Sequence, residues 1–396
     1  MTVMQRRELV LTGVALVAVG LNLRTTVSSL PPLLTEIRRD VPLGGAAAGL
    51  LTALPVLCMA WLAPLAARLT ARLGTVATTA GSVVLIAAGN ALRGTGSTAA
   101  ALLGATFVAG AGVAVLGIVI PAVVKTSFAR LQGAATGAYT VAMMGGSVLA
   151  ATLAAPLAAL LGSWRASLAA WAVPAVVGLV VWLALSARTR RGAAADEVAA
   201  PRPHGLPWRS RPAWLLSLFM TAQSSLAYAY IAWLAPSYVE RGWTPVAAGS
   251  LLGLTTLAQL VSSLALPAMA DTVVEFRRLT TLAVSLTVVG ASWLWLAPTT
   301  LPGLAVVVLG LGSGAGFSLG LTRVVHYAAD AQASSALMAM VFLVSYSVTA
   351  VVPVAIGAAR DATGGFTVPF GALVVVAVAQ LAIARTLHGR YRGVVV

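Results

Sequence analysis

Acidic residues are scarce in this chain: ten Asp and Glu stand in 396 residues, against 25 Lys and Arg. Charged residues of both signs together make up 9%, where a soluble globular protein carries about 25%. So few charges cannot cover a water-facing surface, whereas a lipid-facing surface needs none. Cysteine is nearly missing too. Cys58 stands alone, which excludes an intrachain disulfide and a cysteine metal site. Lysine occurs once, at Lys125. No His-x-x-x-His pair, Gly-x-Ser-x-Gly turn, acidic cluster or phosphate loop occurs, and no paired mid-span aspartates or Ser/His dyad suggest an intramembrane hydrolase. An enzyme is the reading with least support, and no cofactor or metal is expected.

What the chain does contain is apolar. Hydrophobic residues reach 59% and the mean hydropathy is +0.95. One hydrophobic core of this length would be oversized, but a bilayer crossing takes ~20 residues. Twelve apolar runs can be read, centred near Leu21, Val56, Leu85, Gly110, Ser147 and Val176, then near Ser225, Leu257, Val288, Ser313, Tyr346 and Val376. The predicted fold class is an all-α polytopic membrane protein of two pseudo-symmetric six-helix bundles. Between the sixth and seventh runs lie Arg188, Arg190, Arg191, Arg202, Arg209 and Arg211 with Pro201, Pro203 and Pro207, a composition that reads as a linker. The predicted organisation is thus 1–187, a linker over 188–211, and 212–396. Arg6 and Arg7 precede an apolar run that continues past Arg24 to about Leu34, so this segment reads as a first membrane helix and not a cleaved signal.

The net charge of +15 does not point to nucleic acid, because the basic residues sit in short loops. With the N-terminus inside, seventeen of the 25 fall on the inner side, among them Arg68, Arg72, Lys125, Arg130, Arg277, Arg278, Arg385 and the linker arginines. Six are assigned to outer loops: Arg38, Arg39, Arg93, Arg165, Arg241 and Arg360. The asymmetry puts both termini in the cytoplasm of an inner-membrane protein. Ten tryptophans, mostly near span ends, read as interfacial anchors. A repeat agrees with two halves: Val108-Ala-Gly-Ala-Gly112 is echoed by Val308-Leu-Gly-Leu-Gly312, as transporters built from repeats show, although small residues also serve ordinary helix packing.

Two arginines remain, Arg24 and Arg323, both within spans. A charge near a span centre costs at least ~2.5–3.5 kcal/mol. Arg24 therefore needs water, an anion or the carbonyls of a broken helix; its forked donors suit a carboxylate-like group. No Asp or Glu sits mid-span, which argues against a cation substrate. At 100° per residue Asn22, Thr25, Thr26 and Ser29 share one face, with Arg24 and Ser28 nearly opposite. The wheel does not say which face meets a solute. The seventh span offers Gln223 and Tyr228, as ligands for a solute or as interhelical glue. Arg323 and His326 lie three apart near the inner end of the tenth span; a proton or anion relay competes there with simple snorkelling to the interface.

Several stretches resemble the cyanate and nitroimidazole transporter family of the major facilitator superfamily. They are Gly20-Leu-Asn-Leu-Arg24, Ala48-Gly-Leu-Leu-Thr-Ala-Leu-Pro-Val-Leu-Cys58, Thr136-Gly-Ala-Tyr-Thr140, Trp164-Arg165, Phe219-Met-Thr-Ala-Gln-Ser224 and Trp233-Leu234, with a looser match at Gly357 to Gly365. The resemblance implies a two-bundle fold, alternating access and a central site lined by the first, fourth, seventh and tenth helices. It carries over Arg24, Gln223 and Tyr228, and Tyr139 joins Asn22 and Thr25 as a candidate. Thr221, Ala227 and Phe342 depart from the family's pattern; in the loop after the second helix Arg72 and Gly74 remain, but Ala71 replaces the usual aspartate. The expected partners are a small-molecule substrate, anionic or polar, and the lipid bilayer; a monomer is expected. A multidrug-type efflux carrier and a non-transporting membrane sensor are the alternatives.

Overall fold

The computed structural model describes residues 3–128, 131–189, 206–270, 276–328 and 331–387, and among these the chain is helical with short connections. Most of the predicted linker, 190–205, lies outside the described residues, as do Arg130, Asp271, Glu275, Asp330, Arg390 and Arg392.

Among the described residues eleven helices are long and apolar enough to cross a bilayer, and a twelfth is shorter. In chain order they are α1 (Val10–Asp40), the shorter α2 (Gly45–Trp61), α3 (Arg68–Arg93), α4 (Ala99–Val124), α5 (Ala134–Leu161) and α6 (Trp164–Ser186). There follow α7 (Arg211–Val239), α8 (Pro245–Leu266), α9 (Phe276–Leu296), α10 (Pro302–Val324), α11 (Ala333–Thr363) and α12 (Thr367–Thr386). Each predicted centre falls inside one of them. The 17 residues of α2 reach only ~26 Å at 1.5 Å per residue, but a further helix begins at Ala63, one residue after Trp61-Leu62. That helix is broken at Gly74, with φ of 78°, a conformation glycine alone adopts freely. The turn between the second and third crossings is therefore centred on the glycine that the sequence singles out.

The chain forms two compact units: Met1–Leu43, Leu54–Val198 and Tyr238–Gly249 make the first, and Gly44–Ala53, Ala199–Ser237 and Ser250–Val396 the second. In the first unit α3 packs on α4 and α6, and α1 on α5 and α6; in the second, α9 packs on α10 and α12. The glycine repeat supports these contacts. A Cβ on Gly110 would lie 2.9 Å from Pro55 Cα of α2, and one on Gly310 2.4 Å from Thr255 O of α8. A Cβ on Gly112 would meet Ser82 O of α3 at 2.4 Å, and one on Gly312 the Thr287 N of α9 at 2.4 Å. The same two positions thus face the equivalent neighbours in each half, which is the pseudo-symmetry that the sequence predicts. Side chains are packed accordingly: α6 leaves Val173, Val176, Val177 and Val180 exposed, a helical stripe with no reason to be apolar except lipid.

Polar side chains hold the ends. Trp164 Nε1 donates to Asp40 Oδ2 at 2.8 Å and Arg165 pairs with the same oxygen at 3.1 Å, so the Trp164-Arg165 pair ties the start of α6 to the end of α1. In the second unit Gly45 N donates to Asp361 Oδ2, and the other carboxylate oxygen takes Arg360 at 2.9 Å.

Candidate functional site

The first unit places Arg24 on a short helix of its own. Pro31 and Pro32 have no N–H to donate, and α1 is built from pieces: Val3–Gly20, Asn22–Ser28, a 3-10 turn Pro31–Leu33 and Leu34–Asp40. Asn22, Thr25, Thr26 and Ser29 are all 0% exposed. Asn22 Nδ2 donates to Ala18 O at 3.0 Å and to Pro174 O of α6 at 3.2 Å, and the Thr25 hydroxyl to Asn22 O at 3.2 Å. That face is closed. Ser28 shares a 2.5 Å hydrogen bond with Ser147 of α5. The α5 backbone comes close because Gly146 has no Cβ, which would lie 2.0 Å from Leu21 O; a Cβ on Gly20 would in turn lie 3.6 Å from Tyr139 O. Arg24 is half-buried, and so is Tyr139, against the stretch one turn before it.

A second arginine in this unit corrects the sequence reading. Arg93, assigned to an outer loop, is the last residue of α3 and 1% exposed. Its Nε donates to Thr106 Oγ1 at 3.1 Å, and its Nη1 to Thr26 O at 2.8 Å and Asn90 Oδ1 at 3.5 Å. The Thr26 hydroxyl donates to Asn90 Oδ1 at 3.2 Å, and Asn90 Nδ2 to Trp171 O at 3.3 Å. The guanidinium thus lies on neutral oxygens, with no carboxylate partner among the described residues; a buried charge so placed costs several kcal/mol. The one signal for it in the sequence is Asn90, three residues earlier and so on the same helical face.

The second unit uses Gln223 as a junction. Its Nε2 donates to Ser313 O at 2.8 Å and to Ser313 Oγ at 3.0 Å, and its Oε1 accepts from Gln380 Nε2 at 2.7 Å. Gln223 is 1% exposed and thereby joins α7 to α10 and α12. Gly316 makes room: a Cβ there would lie 2.6 Å from Gln223 Oε1. Tyr228, on the same helix, is buried. Sequence reasoning missed Ser313 and Gln380, which carry no charge and sit in apolar runs. Phe342 stacks on Tyr346 at 5.4 Å. Arg323 is buried and does not extend to an exposed surface: it is 3% exposed, with its guanidinium carbon 5.2 Å from the Phe276 ring centre. His326 is exposed and meets the same ring edge-on at 5.8 Å. The two predicted relay residues are thus brought to one aromatic ring.

Comparison with known proteins gives this architecture its place. The profile of the Major Facilitator Superfamily matches residues 12–353. The chain is 33% identical to the cyanate transport protein CynX of Escherichia coli (strain K12), over 89% of this chain and 90% of that protein. It is 32% identical to a 2-nitroimidazole transporter of the same organism, over 92% and 91%. Among solved structures, a bacterial homologue of the human lysosomal transporter Spinster, in an inward-facing and occupied conformation, aligns with a TM-score of 0.77 at 16% identity, covering 98% of each chain. A D-xylose–proton symporter aligns with a TM-score of 0.72 at 15% identity. With that profile covering most of its length and these relatives above 30% identity over about nine-tenths of theirs, this chain belongs to the major facilitator superfamily of membrane transporters, within the family of the cyanate and nitroimidazole carriers.

Proposed function

We propose that the protein moves a small anion or a small polar nitrogen compound, cyanate-like, across the cytoplasmic membrane by alternating access of its two halves, 1–187 and 212–396, joined by a cytoplasmic segment over 188–211. The observation that carries this reading is Arg24. It is the half-buried cation at the middle of α1, on a seven-residue helix whose opposite face is closed by Asn22, Thr25 and Thr26. Four of the carboxylates fit it by their positions at span ends: Glu36 and Asp40 lie in the last turns of α1, Glu240 follows α7, and Asp361 is near the end of α11. The relatives add that a linear anion and a nitroheterocycle are carried in this family; both present electron-rich oxygen or nitrogen to a forked donor.

The test is a thermal-shift panel on purified protein with cyanate, nitrate, small carboxylates, 2-nitroimidazole and cationic drugs, with Arg24→Gln beside the wild type. A ligand at 100 times its Kd stabilises by ~2.7 kcal/mol. A shift with small anions or nitroimidazole that vanishes in Arg24→Gln is expected. A shift with bulky cations alone, retained in the variant, replaces this reading with drug efflux.

A further inference from the structure

The Asn22–Ser28 stretch that carries Arg24 keeps helical backbone angles at both flanks, at Leu21 and Ser29, but runs into Pro31 and Pro32, so its last carbonyls need donors from elsewhere. Leu21 is a turn residue before it, and Ser29 and Leu30 lead into the Pro31–Leu33 turn after it. A helix end leaves its last carbonyls without intrahelical donors. Here Ser29 N still donates to Thr25 O, but Pro31 and Pro32 remove the donors that would serve Val27 and Ser28. Thr26 O, between these, is taken by Arg93 Nη1 at 2.8 Å.

Two features mark Arg93 as more than a cap. Its Nη2 is buried and makes no hydrogen bond to protein among the described residues, so the fork is not used up by its bonds to Thr26, Asn90 and Thr106. Its fork also reaches α1 and α4 at once, through Thr26 O and Thr106 Oγ1, while Asn90 ties the same point to Trp171, two turns into α6. One bond of the guanidinium therefore ends on the α1 backbone at Thr26, two residues from Arg24, while the others tie it to α4 and to its own helix. We propose that Arg93 is a positioning residue for transport: through the Thr26 carbonyl it fixes the angle at which the Asn22–Ser28 helix presents Arg24 to the solute. In its functional consequence this rests on the anion-site reading above.

The test compares wild type, Arg93→Gln, Arg93→Lys and Arg24→Gln in proteoliposomes, with cyanate and 2-nitroimidazole as probes. Losing one charge-assisted hydrogen bond to a carbonyl is worth about a tenfold change. Arg93→Gln is expected to raise the half-saturation concentration about tenfold with little change in maximal rate per folded protein, and Arg93→Lys, which still reaches one carbonyl, to restore most of it. A purely structural arginine gives the opposite split, with less folded protein and lower maximal rate at unchanged half-saturation, and that result overturns the proposal. Hydrogen–deuterium exchange without ligand supplies the second measurement. Faster exchange confined to residues 20–34 in Arg93→Gln is expected; no change, or faster exchange throughout α3, α4 and α6, overturns it. Should Arg24→Gln transport normally, or the wild type carry neither probe, the anion-site reading fails while the exchange measurement still decides whether Arg93 holds the short helix.

Discussion

Gln223 and Arg24 are both polar groups in apolar runs, yet their surroundings differ. Gln223 has its amide on Ser313 and its carbonyl on Gln380, all inside the second unit. Replacing it with leucine strands the Gln380 amide, and an unmade buried hydrogen bond costs ~1–3 kcal/mol. Thermal melting of Gln223→Leu is expected to show that loss, and adding Gln380→Leu should cost less than the two single changes summed, because the pair is one interaction. Arg24 stands out in the sequence because it lies in the middle of an apolar window, and its place mid-way along α1 is where that window puts it. Arg93 does not. It stands beside Gly94 at the end of α3, where an interfacial arginine and a buried one look alike in one dimension. What distinguishes them is the position of Thr26 and Thr106, which come from other helices.

At the scale of elements, all twelve crossings were legible, since a run of ~20 apolar residues has few other uses. Their interruptions were less so. Pro31, Pro32 and Pro353 are visible as interruptions, but the side chains that bond the backbone near them are not: Thr26 O takes Arg93, and Pro353 O takes Trp233 Nε1 at 2.8 Å. The glycines of α2 are similarly silent until packed. Gly45 and Gly49 lie one turn apart and meet Gly357 and Pro353 of α11, also one turn apart; a Cβ on Gly49 would lie 2.1 Å from Pro353 O. Backbone cannot yield as a flexible side chain can. Gly49→Leu is expected to destabilise by ~1–3 kcal/mol or more, read as a lower melting temperature, with Gly137→Leu, where nothing lies within 4 Å, as the tolerated control.

At the scale of the whole molecule, the repeat was read from glycines and returned as equivalent contacts in both halves, so the internal symmetry was legible even though its polar junctions were not. The two halves bury different chemistry: an arginine–asparagine cluster in the first, a glutamine pair in the second. The charge asymmetry of the loops predicts an orientation, with both termini inside. A fluorescent protein fused after Val396 is expected to fluoresce, and alkaline phosphatase fused after Thr95, between α3 and α4, to be active; the reverse pattern sinks the inside assignment of the termini.

Cys58 is buried, 3.3 Å from where a Cβ of Gly110 would stand, and its thiol makes one long contact with Phe107 O at 3.9 Å. It is also the chain's sole thiol, as Lys125 is its sole side-chain amine. Nature has thus left this carrier almost blank to chemical labels. One change, Cys58→Ala, yields a background on which a spectroscopic reporter can be set at any chosen pair of positions, so the proposed alternating access can be tested without first dismantling the protein.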